Sequence, residues 1–260
     1  MKKVNLLPNV ITAFGLACGL FVIFKVNMTG MGTYKLLYNM TLILLLAGIA
    51  DLLDGAVARA IKAESEFGLV FDSLADAISF GVAPSVLLLK AFELPQGEAL
   101  AFFGLSTAMI YTICGVLRLV RYNVKDSQKK GDDALKKNFI GLPIPSAAAA
   151  FVSPNLLLHS PIFKNWIELS KTAEVTILSL VGLFVGYLMV SKLRFPSLKS
   201  IHFKIPSFQL IFFATILACF ILYGLLYSLP ILLMILSWGY VLLGIIWSLI
   251  RIIREKKTKI

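Results

Sequence analysis

Four aspartates lie within 26 residues of otherwise apolar sequence, at Asp51, Asp54, Asp72 and Asp76. A carboxylate in a membrane helix costs several kcal/mol unless it is paired or solvated, so each of them indicates a functional site. Gly68, Asp72 and Asp76 follow one another at intervals of four, and residues at this spacing stack on one face of a helix. The sequence therefore predicts two antiparallel helices, joined by a short turn, whose acidic faces point toward each other.

Facing carboxylates of this kind favour divalent cations. Four negative charges at close range repel one another unless they are protonated or neutralised. Ligand sets made only of oxygen suit Mg²⁺, Mn²⁺ or Ca²⁺ rather than zinc or copper. Two such ions balance four carboxylates and leave a nearly neutral site that can accept a phosphate, an arrangement used for displacement at phosphorus.

Small and basic residues accompany the first two aspartates. Gly55, Ala58 and Arg59 fall with Asp51 and Asp54 in an arc of roughly 140° on a helix that turns by about 100° per residue. Glycine and alanine leave space for a ligand beside the ions, and arginine offers a planar fork for a phosphate. The pattern predicts a substrate that contains phosphate.

The elements that carry these residues must lie in a membrane. Of the 260 residues 58% are apolar and 15% are charged, and the mean hydropathy is +0.87. Soluble domains are about 25% charged, so a water-soluble fold is excluded. In so apolar a chain the net charge of +11 indicates contact with an anionic membrane surface and no nucleic-acid partner.

Eight stretches are long enough to cross the hydrocarbon as helices, which takes roughly 20 apolar residues. We predict them at about 7–25, 36–60, 68–91, 99–121, 141–159, 174–192, 207–227 and 229–250. With the N-terminus inside, 20 of the 25 lysines and arginines are cytoplasmic, and only Lys25, Lys35, Lys90, Lys164 and Lys171 are not. The expected fold is an all-α, polytopic membrane bundle with both termini and the acidic hairpin in the cytoplasm.

The aspartates and their neighbours form one continuous motif. Its members, at spacings without a gap, are Asp51, Asp54, Gly55, Ala58, Arg59, Gly68, Asp72 and Asp76. In this motif the chain resembles the CDP-alcohol phosphatidyltransferase family, and the resemblance extends over about residues 5–190. It implies an integral membrane enzyme and homodimer with two Mg²⁺ or Mn²⁺ ions on the aspartates. It also implies transfer of a phosphatidyl group from a CDP-linked lipid to an alcohol, with release of CMP.

Further stretches resemble the branch of the family in which serine is the acceptor. They are 71–76 with 79–84, 117–124 and 139–146, together with the opening 7–12. This implies CDP-diacylglycerol as donor and the L-serine hydroxyl as acceptor, in a bacterial-type inner or plasma membrane. It also gives a catalytic domain over 1–195 and leaves 196–260 as two additional helices with a basic tail, for packing or dimerisation.

The resemblance assigns roles position by position. The four aspartates become metal ligands, and Asp76 becomes in addition the general base that takes the proton of the serine hydroxyl. The nucleotide pocket is expected to be formed by Gly55, Ala58, Arg59 and Gly68, with Asn9 and Thr12 as further contacts.

Arginines near the cytoplasmic end of the fourth span are candidates for the acceptor side. Arg118 and Arg121, with Asn123, can meet the serine carboxylate or the lipid phosphate, because guanidinium groups form paired hydrogen bonds with both. The alternative is that the two arginines only anchor the end of the span.

Three other functions remain open from the sequence. A sibling enzyme would use glycerol 3-phosphate, inositol phosphate or another alcohol, and an ether lipid could replace the diacyl donor. From a different class, a cation-coupled transporter would use the aspartates to bind its ion. Transporters often carry inverted repeats and helices broken near the midplane, whereas this chain shows no evident repeat and its acidic cluster is expected at a cytoplasmic hairpin.

Overall fold

The structure, a computed structural model, describes residues 6–30, 32–61, 65–92, 98–128, 138–167, 169–196, 222–224 and 227–257. Within these residues six helical stretches are long and apolar enough to cross a membrane. They are Leu6–Met28, Tyr34–Ala60, Glu66–Ala91, Ala99–Val124, Lys171–Val190 and Leu229–Arg251. The prediction of a helical protein with several membrane spans is confirmed.

The elements follow one another along the chain as nine helices, one π-helical turn and two short strands in the described residues. In order they are α1 (Leu6–Met28), α2 (Tyr34–Ala60), α3 (Glu66–Asp76), the π turn (Ala77–Val82), α4 (Ala83–Ala91), α5 (Glu98–Gln128), β1 (Asn138–Ile140), α6 (Ile144–Leu158), α7 (Pro161–Lys164), α8 (Lys171–Val190), β2 (Arg194–Pro196) and α9 (Leu229–Lys257). The span Glu66–Ala91 comprises α3, the π turn and α4.

Two of the eight predicted spans are not among these six. The fifth, at 141–159, is the 15-residue helix α6, which is shorter than the roughly 20 residues that cross a bilayer. Its start is fixed by Gly141, whose φ of 81° is unfavourable for other residues, and by Pro143 at the N-cap. The seventh, at 207–227, lies almost entirely outside the described residues.

Helix α1 is the element around which the acidic helices assemble. It packs against α2, α3, the π turn and α4. A β-carbon at Gly19 would lie 2.7 Å from the Cα of Ser79, so glycine is what lets α1 approach the π turn so closely. Small residues matter here because lipid offers no hydrophobic driving force between helices, which must associate by close packing and hydrogen bonds.

The π turn directly after Asp76 has a sequence cause. Pro84 has no N–H to offer the carbonyl of Phe80, and Ala83 N–H instead reaches back five residues to the carbonyl of Ile78. The Phe80 carbonyl accepts a hydrogen bond from the fully buried Tyr111 hydroxyl at 2.9 Å. Helix α5 thereby satisfies a backbone group that the α3–α4 span cannot satisfy itself.

A small antiparallel sheet joins two segments that are far apart in the chain. Strand β1 pairs with β2, with Phe139 opposite Phe195. Phe195 is fully buried and lies over Gly244 of α9, where a β-carbon would collide with the ring. The N–H of Arg194 donates to the Oγ of Ser248 at 3.2 Å, so α9 is attached to β2 by a hydrogen bond as well as by packing.

Candidate active site

Three of the four aspartates converge at one point. Carboxylate oxygens of Asp51, Asp72 and Asp76 all lie within 4.8 Å of one another. Asp51 comes from α2 and the other two from one face of α3, as the spacing of four predicts. Ser65 begins α3 as its N-cap, and its hydroxyl accepts from the N–H of Gly68 at 3.0 Å.

The fourth aspartate lines the same cleft but is already engaged. Asp54 is 4% exposed, and its Oδ2 accepts a hydrogen bond from the Thr12 hydroxyl at 2.6 Å. Thr12 comes from α1, so the bond ties α1 to α2 beside the cluster. Sequence analysis placed Thr12 among nucleotide contacts; the structure gives it a protein partner inside the site.

The cleft itself is built by four elements. It is lined by the four aspartates, by Thr12, Gly15 and Leu16 of α1, by Ala47 of α2, by Ala75 of α3, and by Ser79 and Phe80 of the π turn. The expected picture of two helices facing each other is therefore incomplete, because α1 forms a third wall between them. Sequence analysis named Asn9 and Thr12 of this helix but missed Gly15 and Leu16, since small and apolar residues carry no charge signal.

The donor set fits hard divalent cations. Mg²⁺, Mn²⁺ and Ca²⁺ take carboxylate oxygens, and an ion placed among three carboxylates would relieve their mutual repulsion. The spread of 4.8 Å between ligand atoms is compatible with their sharing one ion or bridging two. The cluster therefore has the chemistry of a metal site at the surface of a membrane bundle.

Two of the glycines predicted for the nucleotide pocket each lie close to another residue predicted for it. The Arg59 guanidinium covers Gly55: a β-carbon there would lie 3.3 Å from Nη1. The Asn9 Oδ1 similarly lies 3.2 Å from where a β-carbon of Gly68 would be. Ala58 is half-buried on the same helix as Gly55. Helices α1 and α3 thus bring Asn9 and Gly68 together, and Gly55 and Arg59 are neighbours within α2.

The three candidates for the acceptor side differ in their surroundings. Arg118 is 8% exposed, and its positive charge interacts with Asp76 and Asp51; its Nε has no hydrogen-bond partner among the described residues. Arg121 instead donates from Nη1 to the carbonyl of Val190 at 2.8 Å. Asn123 donates from Nδ2 to the Ser73 hydroxyl on α3 at 3.0 Å.

These contacts show that Arg118, Arg121 and Asn123 have different surroundings. The charge of Arg118 interacts with those of Asp76 and Asp51, a difference from Arg121 that its position in the sequence did not indicate. Arg121 joins α5 to the end of α8, and Asn123 joins α5 to α3. The alternative that both arginines only anchor the end of the span fits Arg118 less well than Arg121, since the Arg118 side chain is 8% exposed and its charge interacts with Asp76 and Asp51.

Comparison with known proteins assigns the family. Residues 5–178 match the family model described as CDP-alcohol phosphatidyltransferase. The chain belongs to this family, and it is a transferase. The family match ends before β2 and α9, so the docking of α9 described above lies outside it.

Three curated relatives span most of the chain. A protein of Helicobacter pylori is 34% identical over 212 residues, 81% of this chain and 80% of its own length. One of Bacillus subtilis is 33% identical over 202 residues, 77% of this chain and 92% of its own length. One of Methanocaldococcus jannaschii is 30% identical over 196 residues, 75% of this chain and 76% of its own length. Each is named CDP-diacylglycerol–serine O-phosphatidyltransferase.

Proposed function

We propose that this protein transfers the phosphatidyl group of CDP-diacylglycerol to the hydroxyl of L-serine and releases CMP. The observation that carries the proposal is the convergence of the Asp51, Asp72 and Asp76 carboxylates within 4.8 Å in a chain of this family. The serine specificity is supported by the names of the three relatives, which are those of serine-using enzymes.

The reaction is a direct displacement at phosphorus. The serine oxygen attacks the phosphorus bonded to the diacylglycerol, and the bond from that phosphorus to the oxygen of CMP breaks. Asp76 takes the proton of the serine hydroxyl as the new bond forms. When bound at Asp51, Asp54, Asp72 and Asp76, two Mg²⁺ or Mn²⁺ ions supply neutralising charge for the pyrophosphate and for the departing CMP.

Neighbouring residues orient the two substrates. Gly55, Ala58 and Gly68 leave room for the nucleotide, Arg59 contacts a phosphate, and Asn9 borders the same pocket. Thr12 contributes to the nucleotide side of the site through Asp54, to whose carboxylate it donates a hydrogen bond. Arg118 faces the acceptor and binds the serine carboxylate, because a guanidinium offers two parallel N–H donors to a carboxylate.

The membrane arrangement follows from charge. We place the acidic cleft and both termini in the cytoplasm of a bacterial-type inner or plasma membrane, because 20 of the 25 lysines and arginines then lie on that side. The lysines assigned to the other side include Lys164 and Lys171, which line a common pocket with Tyr34 and Phe92 at the other ends of α2 and α4. The proposal retains eight spans, a homodimer, a catalytic domain at 1–195 and an added segment at 196–260.

The test is CMP release by the purified full-length protein in detergent. CDP-diacylglycerol and Mg²⁺ or Mn²⁺ are supplied with serine, glycerol 3-phosphate or inositol phosphate in turn. Of the three acceptors, we expect only serine to support CMP release. A chelator that removes the metal should abolish this release. Asp72→Asn and Asp76→Asn should each lower the rate by about 100- to 10,000-fold, the range for loss of a positioned acid–base or metal-binding group.

Glu66→Gln is the matched control, because it removes one negative charge from an exposed position on the same helix. It should leave the rate within about twofold, as surface substitutions usually do. Release with another acceptor would overturn the serine assignment but keep the family chemistry. Preference for an ether-linked donor would overturn the diacyl assignment. Cation-dependent uptake into liposomes without CMP formation would overturn the enzyme proposal altogether.

A further inference from the structure

A second pocket lies at the end of the bundle opposite the acidic cleft. Its volume is about 360 Å³, within the range of pockets that bind small ligands. It is formed where the start of α2, the end of α4, the end of α6 and the start of α8 meet. Tyr34 at this pocket and Asp51 at the cleft are separated by about 25 Å of α2, since a helix rises by about 1.5 Å per residue. The pocket is therefore separate from the proposed active site.

The walls of this pocket are held by contacts within the protein. The connection from α1 to α2 is tied to the end of α4, because Lys90 donates from Nζ to the carbonyl of Thr29. Gly32 packs so closely on α4 that a β-carbon would collide with the Lys90 carbonyl. At the end of α6, His159 Nδ1 lies 2.9 Å from the Asn155 carbonyl, which can only accept, so the ring is held with Nδ1 toward the backbone. A preformed pocket of this kind reduces the entropic cost of binding.

The lining combines cationic groups with an apolar surface. Lys164 and Lys171 are exposed, whereas Phe92 and Val175 are 5% and 1% exposed. Glu174, which is half-buried, is the one acidic residue among the described residues of the lining. The charged groups of this lining therefore carry a net positive charge and stand beside buried apolar side chains.

This combination matches one class of molecule at a membrane surface. Lysine ammonium groups bind phosphate as point charges, and basic pockets between membrane helices bind anionic lipid headgroups. A soluble phosphate ion would use only the charges, whereas the glycerol and first methylene groups of a lipid would also cover the apolar wall at Phe92 and Val175. The ends of four helices are where such a headgroup lies.

We propose that this pocket binds the headgroup phosphate of an anionic phospholipid, on the side of the membrane opposite the acidic cleft. Lys164 and Lys171 contact the phosphate, and Phe92 and Val175 contact the glycerol region. The site is a second lipid site, distinct from the one at which a lipid substrate reacts. It goes beyond the proposed function and does not depend on it.

The first measurement titrates the purified full-length protein in detergent with phosphatidylglycerol and counts bound lipid by native mass spectrometry. The double variant Lys164→Gln with Lys171→Gln should raise the Kd by about 10- to 30-fold, because each lysine near an anionic headgroup contributes a similar share. Its matched control is Lys25→Gln with Lys35→Gln, which removes two charges from exposed positions that are not in the lining. The control should stay within about twofold of the wild type.

The second measurement uses a substitution of the opposite sign. Glu174→Gln removes the negative charge from the lining and should lower the Kd for phosphatidylglycerol by about fivefold. A general loss of structure cannot tighten binding, so this variant tests the site even where the double lysine variant folds poorly. A raised or unchanged Kd for Glu174→Gln would overturn the proposal, as would equal effects of the two double lysine variants.

Two further ligands identify the source of the phosphate. Phosphatidylcholine has no net charge and should bind more weakly than phosphatidylglycerol by at least about fivefold, as expected for the loss of one unit of charge. Inorganic phosphate at the same concentration should not displace phosphatidylglycerol, because it makes no contact with the apolar wall. Equal binding of phosphatidylcholine, or displacement by inorganic phosphate, would overturn the assignment to an anionic lipid.

Failure of this proposal is distinguishable from failure of the proposed function. Lipid binding is measured without CDP-diacylglycerol, serine or a divalent cation, so its result does not depend on catalysis. If the wild-type protein releases CMP with serine but the lysine variants bind phosphatidylglycerol like the wild type, only the second lipid site is wrong. If the variants behave as expected but no CMP is released, only the proposed function is wrong.

Discussion

The hydroxyl of Thr12 is the most direct link between α1 and the acidic cluster. It donates to Asp54 at 2.6 Å and lies 3.1 Å from the carbonyl of Pro8, and both contacts are buried. Loss of this donor would leave a buried carboxylate oxygen without a hydrogen bond, and the uncompensated desolvation of that oxygen would be destabilising. The same bond fixes the direction in which the remaining Asp54 oxygen can point, as outer-shell hydrogen bonds do for metal ligands.

Replacement of Thr12 by valine should weaken the site without removing any carboxylate. We expect the rate of CMP release to fall by about 10- to 100-fold, the usual effect of losing a hydrogen bond to a metal ligand. The metal concentration needed for half-maximal rate should rise with it. The measurement is a titration of activity with Mg²⁺ or Mn²⁺.

Thr12→Ser is the control for this substitution, because it keeps the hydroxyl and loses only a methyl group. It should titrate like the wild type. A valine variant with unchanged metal dependence would show that Asp54 does not need Thr12 and would favour a plain packing role for this residue.

At the scale of single elements, the contact of α1 with the π turn decides how closely the cleft is closed. Gly19 packs on Ser79, and the Ser79 hydroxyl donates to the Gly15 carbonyl of α1 at 3.2 Å. Gly15 and Ser79 both line the cleft. A change in the spacing of α1 and the π turn therefore changes the shape of the site itself.

Gly19→Ala should push the two elements apart. The added β-carbon would lie 2.7 Å from Ser79 Cα and 2.9 Å from its Cβ, and backbone atoms cannot yield as a flexible side chain can. We expect a loss of about 1–3 kcal/mol of stability, as for other overpacked contacts, together with reduced activity. Thermal unfolding in detergent and the CMP assay measure the two effects.

Gly239→Ala on α9 is the control for Gly19→Ala, because it makes the same substitution at another helical glycine. Among the described residues, nothing beyond the neighbouring backbone of its own helix lies within 4 Å of a β-carbon at Gly239, and alanine favours the helix more than glycine does. This variant should be as stable as the wild type or more so. Equal melting temperatures for the two alanine variants would mean that the Gly19 contact is looser than the structure indicates.

At the scale of the whole molecule, β2 and α9 are joined to the catalytic bundle through Phe195. The ring is fully buried, lies over Gly244 and packs in the same core as Leu142 and Ile144. Its strand pairs with β1, and Gly141 just beyond β1 donates its N–H to the Leu193 carbonyl at 2.8 Å. Helix α9 is thus packed against residues inside the family match, such as Leu142 and Ile144, through Phe195.

Phe195→Ala should destabilise the whole protein. Truncation of a fully buried phenylalanine costs about 3–5 kcal/mol, and the loss should appear as a lower melting temperature in detergent. Phe102→Ala is the control, since that side chain is 72% exposed on α5 and its loss leaves no internal cavity. Equal effects of the two substitutions would show that α9 contributes little to the stability of the bundle.

The sequence by itself determined the chemistry of the site and which residues share a face. Helical periodicity placed Asp72 and Asp76 together, charge distribution gave the orientation that we propose, and the motif from Asp51 to Asp76 indicated the family that the comparisons then established. These features are local: they depend on residue types and on spacings within a single helix or one short connection. The positions of most spans could be predicted for the same reason.

Only the tertiary structure decided which helices meet at the site. It revealed α1 as the third wall, the bond from Thr12 to Asp54 and the burial of Arg118. In a membrane the side of a helix that faces lipid and the side that faces protein are both apolar, so hydropathy does not identify a helix's neighbours. That choice is made by close packing at small residues and by hydrogen bonds between groups far apart in the chain, and neither has a period that a sequence displays.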